Sequence, residues 1–198
     1  ALPISVPDPL QERILALGEV CEAPLVALLD DAGAPAEARM TAVGLLREME
    51  SAAPRSLYIA WQKNRRQKDE LCDNALESLK VMGHAAVPDM LNALEECNRA
   101  GQEALLDALS EYPGSETVFQ LALKLFGEEK KRRALFAGYL GRLMDERALP
   151  ALKEAALEPN LPYLDFIEIR NAIERLGADA PAREYGDDPG YEAMRKMQ

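Results

Sequence analysis

The stretch Leu140-Gly141-Arg142-Leu143-Met144-Asp145-Glu146-Arg147-Ala148-Leu149-Pro150-Ala151-Leu152 closes one apolar-periodic run, turns, and opens another. Weaker copies lie at Leu17-Gly18 to Leu25, Met49 to Leu57, Met82-Gly83 to Leu91, Tyr112-Pro113 to Leu121 and Leu176-Gly177 to Pro181. Taking Gly18, Glu50, Gly83, Pro113, Met144 and Gly177 as the turn markers gives intervals of 32, 33, 30, 31 and 33 residues. A fixed period of this size marks an array of helix pairs, each burying its apolar face only by stacking on its neighbours. Two helices of roughly 10 to 14 residues with two short turns consume such a period. Proline at the start of the second helix (Pro24, Pro54, Pro88, Pro150) sits where a missing N–H costs nothing.

Working outward, the periodicity predicts five helix pairs, at about residues 9–31, 36–65, 69–98, 101–126 and 129–158. A lone helix at 162–176 and a segment at 178–198 follow. The segment Ala1 to Pro9, with Pro3, Pro7 and Pro9, reads as an extended lead-in capped by Asp8. In the first helix Leu10, Ile14 and Leu17 are placed inward, and in the ninth Leu135, Phe136, Tyr139 and Leu140. Asp188-Pro189-Gly190 reads as a turn before a short helix from Tyr191 to Met197. Tyr185 and Tyr191 are expected either to plug the exposed face of the last unit or to form a recognition tail. The whole is an all-α solenoid of stacked antiparallel helix pairs, with about eleven helices in a single domain.

Composition agrees with helices. Apolar residues make up 48% of the 198, aromatics only 6%, and strand-like runs are missing. The net charge of −11 disfavours duplex nucleic acid and favours a basic or mixed-charge protein partner. Cys21, Cys72 and Cys97 are odd in number and widely spaced, which points to buried thiols in a reducing, cytoplasmic setting. No segment is apolar and long enough to span a bilayer.

The phrase Leu140-Gly141-Arg142-Leu143 to Leu152 closely resembles the HEAT repeat, and more narrowly the short bacterial HEAT-like repeats named after phycobilisome lyases. Met82-Gly83-His84-Ala85-Ala86-Val87-Pro88 matches the same core with one residue deleted. The second and fourth units depart most, keeping only the apolar positions. The resemblance covers about residues 9–180. It implies a curved, right-handed stack with first helices on the convex side and second helices on the concave side.

This repeat serves many tasks, so function must come from residues. The di-iron hydroxylases of this fold use repeated His-Glu pairs, but this chain has one histidine, His84, in a turn. Glycosylases of the fold use a basic, aromatic-lined face, which an acidic chain with one tryptophan lacks. The reading is therefore a non-enzymatic scaffold that binds a protein or peptide on its concave face, without cofactor or metal. A bilin-lyase-like enzyme or accessory is the alternative. Helical phase places Arg55, Tyr58, Gln62, Asp89, Asn92, Glu96, Gln120, Lys124 and Glu154 outward on that face. Tyr58 and Trp61 are its candidate aromatic anchors, although Leu57, four residues before Trp61, also suits Trp61 to the core. Two basic clusters, Lys63-Arg65-Arg66-Lys68 and Lys130 to Arg133, lie two periods apart. Stacking would bring Arg65, Arg66, Lys68, Arg99, Lys131 and Arg132 to one edge, a stripe for an acidic partner or, as a further alternative, nucleic acid.

Overall fold

Runs of Leu, Ala, Glu and Lys broken by Gly and Pro favour helix, and helix is the only regular structure among the described residues. A computed structural model describes residues 8–185 and 188–197, except the side chains of Met194 and Met197. The lead-in through Pro3 and Pro7 falls outside the described residues. Twelve α-helices are present among them: α1 (Asp8–Leu17), α2 (Glu22–Asp30), α3 (Ala36–Glu48), α4 (Arg55–Lys63), α5 (Glu70–Met82), α6 (Val87–Leu94), α7 (Arg99–Leu109), α8 (Glu116–Glu128), α9 (Arg133–Leu143), α10 (Leu149–Ala156), α11 (Tyr163–Arg175) and α12 (Pro189–Met197). No described helix is long and apolar enough to cross a membrane.

Local chemistry sets the helix ends. Asp69 and Ser115 cap α5 and α8, accepting from the Cys72 and Val118 N–H groups. Pro88 and Pro150 sit in the first turns of α6 and α10. The turn markers read from the repeat hold left-handed backbone: Gly18, Gly83 and Gly177 have φ of 60°, 60° and 78°, and Glu50 and Met144 have 53° and 54°. The fourth marker is corrected by one residue. Its left-handed position is Gly114 (φ 103°), because the ring of Pro113 fixes a negative φ.

The chain divides into two compact units, Ala1–Ala108 and Leu109–Gln198. In the first, α3 packs on α1, α2 and α5, and α4 packs on α5 and α6. Leu29, Val43, Leu46, Leu79, Met90 and Leu105 are completely enclosed. In the second, α9 packs on α8 and α11, and α11 also receives α10 and α12. Phe136, Leu140, Leu152, Ile169 and Ile173 form its centre.

Three inward assignments fail. Leu10 and Leu17 are 49% and 60% exposed, and no residue of α1 is buried. A first helix covered on one flank cannot enclose a full stripe. Leu135 is 40% exposed, since α9 turns Phe136, Tyr139 and Leu140 inward instead.

At the end of the chain, Tyr185 and Tyr191 both stack edge-on against Tyr163 of α11, each with centroids 5.1 Å away. Asp188 accepts from the N–H groups of Tyr163, Gly190 and Tyr191. Arg183 donates to the carbonyl of Ala156, the last residue of α10, at 3.1 Å and to that of Pro159 just beyond it at 2.6 Å. A guanidinium there complements the negative end of the helix dipole.

Candidate functional site

Helix α4 decides which residues face outward in the first unit. Its buried residues are Tyr58, Ile59 and Gln62. Tyr58 and Gln62, expected on the outer face, are both 0% exposed and point into the core. For Tyr58 the physical reason is its apolar ring, which α4 turns into the core; for Gln62 it is hydrogen bonding that only the fold supplies. Gln62 Nε2 donates 2.8 Å to the Cys72 carbonyl, and its Oε1 accepts from Arg65 Nη1 at 3.0 Å. Trp61 is half-buried, with the Arg39 guanidinium 5.1 Å from its ring centroid.

Among the described residues the Tyr58 hydroxyl finds no hydrogen-bond partner. Burial pushes its pKa up to about 12, although neighbouring Ser78 and the Arg47 charge pull the other way.

Turning Tyr58 and Gln62 inward leaves Arg55, Ser56, Ala60 and Lys63 facing out. With α6 they line a groove of about 430 Å³. Its floor is Ser56, Ile59 and Ala60 from α4, with Asn92 and Ala93 from α6. Cross-helix ion pairs bracket it. Arg55 Nε meets Asp89 Oδ2 at 2.8 Å, and Lys63 Nζ meets Glu96 Oε2 at 2.6 Å. Arg55 Nη1 also donates to the Ala85 carbonyl. Four predicted outward residues, Arg55, Asp89, Asn92 and Glu96, thus line one hollow. The small floor residues were missed, yet Ser56, Ala60 and Lys63 recur at helical spacing and could have been found once Gln62 was placed inside.

In the second unit Gln120 and Lys124 are exposed on α8 and bond along their own helix, to Glu116 at 2.8 Å and Glu128 at 4.0 Å. Glu154 is exposed on α10.

The basic residues differ among themselves. Arg65 is 8% exposed, bonded to Gln62 and paired with Asp73, so it offers no surface charge. Arg66 and Lys68 are exposed in the first unit, and Arg99 pairs with Glu103 on its own helix at 3.0 Å. Lys131 and Arg132 are exposed in the second unit, where Arg133 is buried and paired with Glu158 at 2.8 Å.

The loop after α4 is braced by Asn98, which accepts from the Gly101 N–H and donates to the Arg65 carbonyl at 2.9 Å each. A Cβ on Gly101 would stand 2.1 Å from the Gln62 carbonyl oxygen, so this joint admits only glycine.

Cys72 and Cys97 are buried and unbridged. Burial pushes the Cys72 thiol up to about 12 and raises Cys97, so neither is a nucleophile near neutrality. Among the described residues no group of three or more His, Cys, Asp or Glu is placed to hold a metal ion. In comparisons with known proteins, no family model matches this chain and no curated protein shows significant similarity to it.

Proposed function

We propose that the chain is a HEAT-type solenoid acting as a non-enzymatic interaction module. It holds a peptide or protein segment on the face made by the second helices of its pairs. The repeat reading draws support from left-handed turns at near-constant spacing. Bonds across about one period add to it: Lys63 to Glu96, Asn98 to Arg65, Arg142 to Ser110 and Arg147 to Glu116. Buried thiols suit a reducing compartment such as the cytoplasm.

The observation that carries the binding role is the α4–α6 groove. The small residues Ser56, Ala60 and Ala93 leave room there for a side chain, and ion pairs link the two helices across it. Selection from a displayed random-peptide library on the immobilised protein tests this. Selected peptides should lose about tenfold in affinity, about 1.4 kcal/mol, on Ala60→Trp, which fills the floor. An empty selection, or binders indifferent to the plug and to equivalent plugs along α2, would refute the role.

A further inference from the structure

A second groove, of about 650 Å³, lies between α2 and α4. Its surface is largely apolar, from Ala23, Val26 and Ala27 of α2 and Leu57 of α4, and Glu22 and Asp30 also line it. An adjoining hollow of about 480 Å³ shares Glu22 and adds Glu19, Glu48 and Glu50 beside Leu15 and Met49. No lysine or arginine lines either hollow. Among the described residues none of these five carboxylates has an ion-pair partner, in contrast to the neighbouring groove, where Arg55 and Lys63 neutralise Asp89 and Glu96. Apolar contact in the α2–α4 groove therefore comes with uncompensated negative charge.

We infer that the α2–α4 groove binds a basic, extended peptide segment in which one aliphatic side chain is flanked by two cations. This rests on the reading of the chain as a peptide-binding module and names the partner for one part of its face.

The spacing follows from the helix. Glu22 and Asp30 stand at the first and last positions of α2, eight residues and roughly 12 Å apart at 1.5 Å per residue. An extended peptide rises about 3.3 Å per residue, so cations four apart span the same distance. In such a strand residues i, i+2 and i+4 share one face. Cations at i and i+4 then reach Glu22 and Asp30 while an aliphatic residue at i+2 enters the groove. Glu19, Glu48 and Glu50 continue the negative field beyond the Glu22 end and favour further cations on that side of the segment.

The test uses the whole protein and a fluorescein-labelled peptide containing Lys-Ala-Leu-Ala-Arg, read by anisotropy. Binding should appear at low ionic strength and weaken steadily as salt rises. Glu22→Gln with Asp30→Asn should weaken it about tenfold, with helicity unchanged, since both exchanges keep side-chain volume. Replacing the peptide's leucine by serine should weaken it similarly. Several results would overturn the inference. One is equal binding of the Glu-Ala-Leu-Ala-Glu peptide, and another is unchanged affinity of the double variant. A concentration-dependent dimer abolished by Ala27→Trp would assign the groove to a second copy of the chain. Failure of the basic peptide, with library binders lost on Ala60→Trp, would reject this partner and leave the wider role standing. Failure of both would reject both.

Discussion

Tyr58 carries a polar atom that the sequence pattern places outward, as a surface anchor with a solvated hydroxyl. In the structure that hydroxyl is enclosed and, among the described residues, without a hydrogen-bond partner. A buried hydroxyl without a partner loses its hydration and gains little in exchange. Tyr58→Phe should therefore stabilise the protein by about 1 kcal/mol at neutral pH in urea unfolding. The pH dependence has a definite sign. The folded pKa is raised from the ordinary 10.0 to about 12, so the folded state holds this proton more tightly than the unfolded chain. Its contribution is constant below pH 10 and falls as pH rises from 10 towards 12. The Phe variant should lose less stability over that interval than the parent. Equal losses would show that the phenol does not titrate as described. Gln62 teaches the same lesson: an amide looks like a surface group until Cys72 and Arg65 satisfy it.

At the scale of elements, the helices and their order were legible, because period and punctuation are both local. Pro88 and Pro150 start helices, Asp69 and Ser115 cap them, and the turn markers fall on left-handed residues. What escaped is rotational phase. In α4 the pattern of Leu57 and Trp61 was read as the inward stripe, whereas the buried set is Tyr58, Ile59 and Gln62, one residue further on. One residue is about 100° of helix, enough to exchange a groove for a core. The turns make their own prediction. Glu50 and Met144 adopt a positive φ that L side chains disfavour and that Gly18 and Gly177 adopt with no side chain to strain. Glu50→Gly and Met144→Gly should each raise stability by about 0.5–1 kcal/mol, the steric gain exceeding glycine's entropic cost. Destabilisation of both variants in thermal and urea unfolding would show that their side chains make compensating contacts.

For the whole molecule, charge is the property most visible in sequence and least informative about position. A net charge of −11 leaves open which carboxylates are paired. In the second unit, hydrogen bonds from Arg147 hold Glu116 and Asp145 below the ordinary carboxylate range, and Arg133 does the same for Glu158. Folded pKa values below the unfolded ones mean stability that is present above about pH 4.5 and lost as pH falls through the folded values. Burial raises Asp165 and works in the opposite sense, softening the fall. Thermal midpoints should be level from pH 8 to 6 and drop below about 4.5, with Arg147→Gln making the drop shallower. An unchanged acid limb would remove the Arg147 cluster from the account. The grooves themselves were only partly legible. The charged rim of the α4–α6 groove showed in helical phase, but the alanines and serines of both grooves did not, because the role of such small residues depends on what stands opposite them.

The left-handed joints carry a consequence for how such a chain changes over time. Glu50 and Gly83 share nearly the same φ, 53° and 60°, and each ends a first helix. Their sign of φ is shared, but Gly83 carries a ψ of −137°, outside the left-handed basin that Met144 occupies with a ψ of 32°. A block cut out between two such corners must therefore meet the backbone form of the corner it leaves, and glycine is the residue that accepts both forms.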